Sequence, residues 1–142
     1  MKSATTNQAV AILTMRLLLG FIFLMQGYGK IFTFGVDGVF NNFFNTEQYA
    51  MFPVFVLQFT AYYTSYIELI AGFLLVIGLQ RDYALYALAS VLVIVSFGHG
   101  VAEPIWDLSH VMYRTILLVP LLLLPTHWDI FSIDHILNKS KA

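Results

Sequence analysis

Four long apolar stretches, separated by shorter polar segments, account for most of the chain. They span about residues 9–32, 54–79, 83–102 and 110–126. A helix needs roughly 20 residues to cross about 30 Å of hydrocarbon, and the first three stretches reach that length. The fourth is shorter and contains Pro120 and Pro125, which predict a kink or a shallow end. The pattern predicts an all-α membrane protein, an antiparallel bundle of four transmembrane helices in one domain of residues 1–142.

A polar and aromatic segment of about residues 33–53 joins the first two apolar stretches. It mixes Asp, Asn and Gly with Phe and Tyr, which is typical of an amphipathic stretch in the membrane interface. The other connections are short and predict antiparallel neighbouring helices. The first apolar stretch exceeds the core of a signal peptide and contains Arg16, and no small-residue cleavage pattern follows Lys30. We therefore expect it to be retained.

Composition supports a membrane location. Apolar residues make up 59% of the chain and charged residues 11%, against about 25% charged residues in soluble domains. The chain has no cysteine, which excludes disulfides and thiolate metal ligands. The net charge of −1 gives no reason to expect nucleic acid as a partner. The expected partners are the lipid bilayer and either another membrane protein or further copies of this chain.

Lysine and arginine in the loops predict the orientation. Lys2, Arg81, Lys139 and Lys141 fall on one side of the predicted topology. The opposite loops carry none, and Lys30, at the end of the first helix, is the single exception on that side. Both termini are therefore expected to face the cytoplasm, with the chain in the cell (inner) membrane.

Charged and polar residues inside the predicted helices are the candidate functional residues, because a charge in hydrocarbon costs free energy unless it faces the interior and pairs. Arg16 and Lys30 lie on one face of the first helix. Glu68 lies near the middle of the second helix, where it needs a partner or a proton. We expect Arg16 to meet Glu68 if the two helices are neighbours, and such a pair also suits a purely structural role. The whole set comprises Arg16, Gln26, Lys30, Glu68, His99, Glu103, His110 and Arg114.

The outer ends of the helices concentrate five of these residues, which predicts a polar site opening to the outer face. These five are Lys30, His99, Glu103, His110 and Arg114. Lys30 and Glu103 also suit simple snorkelling to the interface. Two histidines on different helices can ligate a haem, but His99 and His110 are more often ordinary hydrogen-bonded residues, so haem is the less favoured interpretation. No metal site is predicted.

Two stretches of sequence resemble the DoxX family. The segments RLLLG (16–20) and GYGKI (27–31) resemble its opening signature, and ELIAGFLLVIGL (68–79) resembles its second helix. His99 stands where family members often have a histidine. The glycines of these stretches let helices approach closely, within the chain or between chains. The matching positions are Arg16, Gly20, Gly27, Lys30, Glu68, Gly72 and Gly78.

The resemblance implies the fold and a connection to membrane redox chemistry. The family takes its name from a membrane subunit linked to thiosulfate:quinone oxidoreductase in archaea, and other members are associated with oxidative-stress complexes or act as assembly factors. We expect an accessory or anchor subunit of a quinone-linked complex, not catalytic on its own, with a quinone near Glu68, Lys30 and His99. Glu68 or His99 would then relay protons. The alternatives are a non-enzymatic assembly factor or, less favoured, an oligomeric transporter of protons or small solutes.

Overall fold

The computed structural model describes residues 4–102 and 109–139, and every regular element within them is helical, which confirms the all-α prediction. Two π-helical turns, Gly29–Thr33 and Phe40–Phe44, follow α1 and α2, and 3₁₀ turns lie at Glu47–Tyr49 and Thr126–Trp128. The α-helices are α1 (Thr6–Tyr28), α2 (Val36–Val39), α3 (Val54–Ile77), α4 (Arg81–Ala102), α5 (Ser109–Leu123) and α6 (Ile133–Lys139).

Three helices are long and apolar enough to cross a membrane. They are α1 with its π turn (28 residues), α3 (24 residues) and α4 (22 residues). Helix α5 has 15 residues with Pro120 inside it, and at about 1.5 Å per residue it is ~22 Å long. That is shorter than the ~30 Å hydrocarbon layer. Large apolar side chains such as Phe21, Phe73 and Val93 are exposed along the three long helices, which suits contact with lipid.

Local signals set the ends of the first two long helices. Helix α1 begins with a capping box, in which the Thr5 hydroxyl accepts from the backbone N–H of Gln8 and the Gln8 side chain accepts from the backbone N–H of Thr5. Helix α3 ends at Gly78, whose φ of 70° is left-handed. The backbone N–H of Leu79 then donates to the carbonyl of Leu74 at 3.0 Å. The tight turn that follows makes α3 and α4 antiparallel.

Helices α1, α3, α4 and α5 form a closed ring, since α1 and α4 each contact both α3 and α5. The backbones of α1 and α3 touch. A Cβ added at Gly27 would lie 2.7 Å from the Cα of Leu69, and one added at Gly72 would lie 2.8 Å from the Cα of Leu24. Gly20 lies in the same contact. These three glycines therefore serve packing within the chain.

The segment between α1 and α3 folds back over α3. Phe40 packs in a small apolar cluster with Leu57 and Ala61 of α3. The Tyr62 hydroxyl of α3 donates to the Asp37 carboxylate at 2.7 Å, which fastens α2 to the same helix. Because the segment is held at both points, its aromatic residues form a wall over one end of the helix ring.

Candidate functional site

Arg16 is 1% exposed and lies at the C-terminal end of α3. Its Nη1 donates to the carbonyls of Leu75 and Val76 at 2.5 and 2.9 Å, and its Nη2 donates to the carbonyl of Phe131 at 3.0 Å. Its Nε lies 3.1 Å from Oδ2 of Asp129. The last carbonyls of a helix have no partner within the helix, and a cation is favoured there. Arg16 thus caps the C-terminal end of α3 and links it to the segment after α5, which contains Asp129 and Phe131.

The prediction that Arg16 meets Glu68 is therefore wrong. Helices α1 and α3 are antiparallel, with Gly27 opposite Glu68 and Leu69. Arg16 lies 11 positions before Gly27, or ~16 Å along the helix at about 1.5 Å per residue. That offset places Arg16 level with the end of α3, so the two residues have different partners.

A second buried arginine, Arg81, lies at the same end of the helix ring. It is 3% exposed, and its Nη2 donates to the carbonyl of Leu124, just past α5, at 2.9 Å. Its backbone N–H donates to the Asp134 carboxylate at 3.1 Å, while the backbone N–H of Asp134 donates to the carbonyl of Gly78 at 3.0 Å. Helix α6 is thereby fastened to the turn between α3 and α4. We call Arg16, Arg81, Asp129 and Asp134 the arginine cluster.

Asp129 was not among the residues predicted from sequence. It is 2% exposed beside Arg16. Burial raises the pKa of this carboxyl, and the positive charges of Arg16 and Arg81 oppose the shift without cancelling it. The available signal was indirect, since a buried arginine needs a counter-charge and the chain has only 8 acidic residues. These contacts make the arginine cluster a structural connection between α1, α3, α4, α6 and the chain just past α5.

Lys30 and Glu68 form an ion pair near the other end of the ring. The Nζ of Lys30 lies 2.9 Å from Oε1 and 2.8 Å from Oε2 of Glu68. Glu68 is 1% exposed and Lys30 is 18% exposed. Lys30 belongs to the π turn Gly29–Thr33, a rare backbone form that is frequent at functional sites. Lys30 therefore reaches inward to Glu68 while part of its side chain stays accessible.

Arg114 of α5 lies close to this ion pair's end of the ring. Its Nη2 donates to Oε1 of Gln26 at 2.5 Å, and its guanidinium carbon lies 5.4 Å from the centre of the Phe23 ring. A guanidinium over an aromatic face is attracted by the ring quadrupole. Both of these contacts are with uncharged groups, while the carboxylate of Glu68, which is paired with Lys30, also attracts Arg114.

His99 of α4 and His110 of α5 meet side by side. Their Nε2 atoms are 3.2 Å apart and their ring centres 4.6 Å apart, so one ring donates a hydrogen bond to the other. This direct contact leaves no space for a porphyrin between them. Glu103, also predicted for this site, lies outside the described residues. Across residues 4–102 and 109–139, no group of three His, Asp or Glu side chains is placed to hold a metal ion.

A cavity of about 760 Å³ brings most of the predicted polar residues together. It lies between α1, α3, α4, α5 and the two π turns. Glu68 lies behind Lys30, and Arg16 is far away at the arginine cluster. The polar residues predicted from sequence that line it are Gln26, Lys30, His99, His110 and Arg114.

Aromatic side chains form part of the largely apolar walls of the cavity, and sequence reasoning did not single out these residues. They come from the residue that follows the first π turn, from the second π turn, from the segment before α3, and from α4. Their abundance was visible in the sequence, but which of them face inward depends on the π turns, and hydropathy carries no signal for those. The main ones are Phe34, Phe43, Phe44, Tyr49, Phe52 and Phe97.

Comparison with models of protein families identifies the family of this chain. It matches the model of the DoxX family over residues 11–100, more than half of its length, which includes Lys30, Glu68 and His99. Comparison with curated proteins and with solved structures yields no match. The family match and the three long apolar helices agree with the resemblance seen in the sequence. The chain therefore belongs to the DoxX family of membrane proteins.

Proposed function

We propose that this protein is an accessory membrane subunit of a quinone-linked redox complex and that its cavity binds the quinone headgroup. The cavity itself is the observation that carries the proposal. Its volume of about 760 Å³ lies within the roughly 300–1,000 Å³ common for small-molecule sites. It combines aromatic walls with hydrogen-bond donors, as a flat aromatic ligand with two carbonyl oxygens requires.

The donors come from groups that are already oriented. Lys30 has three N–H donors, and the two oxygens of Glu68 fix the direction of its amino group. Gln26 uses its carbonyl oxygen to accept from Arg114, which leaves its amide N–H groups as donors. A carbonyl oxygen placed between Lys30 and Gln26 would therefore accept from both.

An accessory role fits the chemistry of this chain better than catalysis by the chain alone. It has no cysteine to ligate an iron–sulfur cluster, so a partner subunit would supply the electron carrier. Reduction of a quinone takes up protons together with electrons. The touching rings of His99 and His110 line the cavity and offer a path for a proton to the ligand.

We further propose that α1, α3, α4 and α5 all cross the bilayer, with both termini in the cytoplasm and the cavity toward the outer face. The Lys and Arg bias of the loops supports this orientation. Because the chain lacks cysteine, single cysteines report topology cleanly. A membrane-impermeant maleimide applied to intact cells should label Asn45→Cys and spare Asn138→Cys until the cells are opened. The reverse labelling would contradict the orientation.

Quinone binding is tested with the protein in lipid nanodiscs, titrated with a short-chain ubiquinone. Gly98 lines the cavity, and its added Cβ would lie 3.9 Å from the Tyr49 hydroxyl, so Gly98→Leu fills space in the cavity. Gly100, on the same helix, has no atom within 4 Å of such a Cβ and does not line the cavity, so Gly100→Leu is the matched control. We expect binding to wild type and the control, and binding weakened by about tenfold or more in Gly98→Leu.

Two outcomes would contradict the proposal. If the wild-type protein does not bind quinone, the proposal that the cavity is a quinone site is wrong. If this protein is purified from native membranes and only assembly proteins, with no redox subunit, co-purify with it, the result would favour an assembly factor.

A further inference from the structure

The charges of the described residues around the cavity do not balance. Lys30 is neutralised by Glu68, whose two oxygens lie 2.9 and 2.8 Å from its amino group. Arg114 is the second cation in the lining; it contacts the uncharged Gln26 and Phe23, and it shares the negative charge of Glu68 with Lys30. None of the described residues that line the cavity is acidic. Among the described residues, the polar end of the cavity therefore has one more positive charge than negative charges.

Arg114 has the capacity to hold a ligand in addition to its present partners. A guanidinium has five N–H donors in a planar fork that matches carboxylate and similar oxyanions. One hydrogen bond of Arg114 within the described residues goes to Gln26, and it fixes the plane of the fork. Attraction between opposite charges is much stronger in a site shielded from water than at an open surface. The excess charge is thus best compensated by an anion inside the cavity.

We propose that the cavity selects an amphipathic ligand with an anionic headgroup, which Arg114 holds while the apolar part lies along the aromatic walls. The inference rests on the cavity of the proposed function and narrows its ligand. An ionised hydroxyquinone and the carboxylate of a fatty acid both have this chemistry, since each presents an oxyanion on an apolar body. A neutral molecule of the same shape binds more weakly.

Two pairs of probes that differ only in charge test the proposal on wild-type protein in nanodiscs of uncharged lipid. The first pair is an alkyl hydroxynaphthoquinone, ionised at neutral pH, and its neutral methyl ether. The second pair is hexadecanoate and its methyl ester. We expect the anionic member of at least one pair to bind roughly ten- to a hundredfold tighter, as a charge-assisted hydrogen bond contributes. The pair that shows the preference identifies the source of the headgroup.

Variants then assign the preference to Arg114. Arg114→Gln should abolish it, Arg114→Lys should retain most of it, and the control Lys139→Gln, which removes an exposed cation on α6, should leave it unchanged. The comparison of anionic and neutral probes on the wild-type protein tests the anionic ligand even if Arg114→Gln fails to fold. Equal affinity for the two members of each pair would contradict the preference for an anionic headgroup but not the proposal that the cavity binds a quinone. Failure of all four probes to bind overturns both, and a preference that survives in Arg114→Gln overturns the role of Arg114.

Discussion

The amino group of Lys30 lies between the two carboxylate oxygens of Glu68, 2.9 Å from one and 2.8 Å from the other. This contact joins the π turn after α1 to the interior of α3. Glu68 is 1% exposed, so its charge depends on Lys30 for compensation. Because one carboxylate, Glu68, faces two cations, Lys30 and Arg114, the described residues around the cavity have one more positive charge than negative charges.

Replacement of Glu68 by Gln leaves Lys30 without its counter-ion. We expect the free energy of unfolding in detergent micelles to fall by about 3 kcal/mol, at the lower end for a broken buried pair because Lys30 is partly exposed. The double variant Lys30→Gln/Glu68→Gln should lose less than the sum of the two single variants, because the pair is coupled. Strict additivity would show that the two charges do not depend on each other.

Arg16 and Asp129 should differ greatly in their effect on stability, although they form one ion pair. Arg16→Met removes hydrogen bonds to three carbonyls and leaves Asp129 without its nearest cation. We expect a loss of about 3–5 kcal/mol, measured by denaturant unfolding. Asp129→Asn keeps the shape and the carbonyl bonds of Arg16, and burial already disfavours the charged carboxylate, so it should cost less, about 1–2 kcal/mol. Equal losses would show that the ion pair, rather than the carbonyl bonds, dominates.

Asp129 also predicts a dependence of stability on pH. Burial raises its pKa in the folded protein above the value in the unfolded chain, so the folded state binds this proton more readily. The resulting stability is complete below the unfolded-state pKa and is lost as pH rises through the raised folded-state pKa. As pH rises above the ordinary aspartate pKa of about 4, the unfolding midpoint of Asp129→Asn should therefore fall less than that of wild type. A steeper pH dependence in the variant would refute the raised pKa.

The contact between α1 and α3 predicts opposite effects for two glycines. Gly27→Ala places a Cβ 2.7 Å from the Cα of Leu69, so the helices must separate, at a cost of about 1–3 kcal/mol. Gly100→Ala meets no atom within 4 Å and should stabilise α4 by roughly 0.5–1 kcal/mol. Thermal unfolding of both variants measures the difference. A Gly27→Ala protein as stable as wild type would contradict the close approach.

The long helices could be read from the sequence because apolar runs and helix-ending signals are local. Gly78, for example, ends α3 where its left-handed backbone permits a sharp turn. The partners of Arg16 could not be read, since they depend on how far α1 and α3 are offset along their axes. That offset is set by the contact of Gly27 with Leu69. Sliding one helix along the other changes the hydropathy of the contact little, so the sequence does not indicate which offset is adopted.

The cavity could be predicted only in part. The sequence predicted that Lys30, His99, His110 and Arg114 lie at one end of the helices. In the structure all four line the same cavity. The shape of the cavity depends on the two π turns, which arise from tertiary packing and have no distinctive composition. Asp129 was missed for a similar reason, because a single carboxylate in a short segment after Pro125 looks like an ordinary exposed loop residue.

The position of the ligand tests the central claim most directly. A photoreactive azidoquinone, bound to wild-type protein in nanodiscs and cross-linked, can be located by peptide mass spectrometry. We expect the label on half-buried aromatic residues that line the cavity, above all Phe44 and Phe52, with competition by unlabelled quinone. Label confined to lipid-exposed residues outside the cavity, such as Tyr83 and Tyr86 at the start of α4, would contradict a quinone site in the cavity.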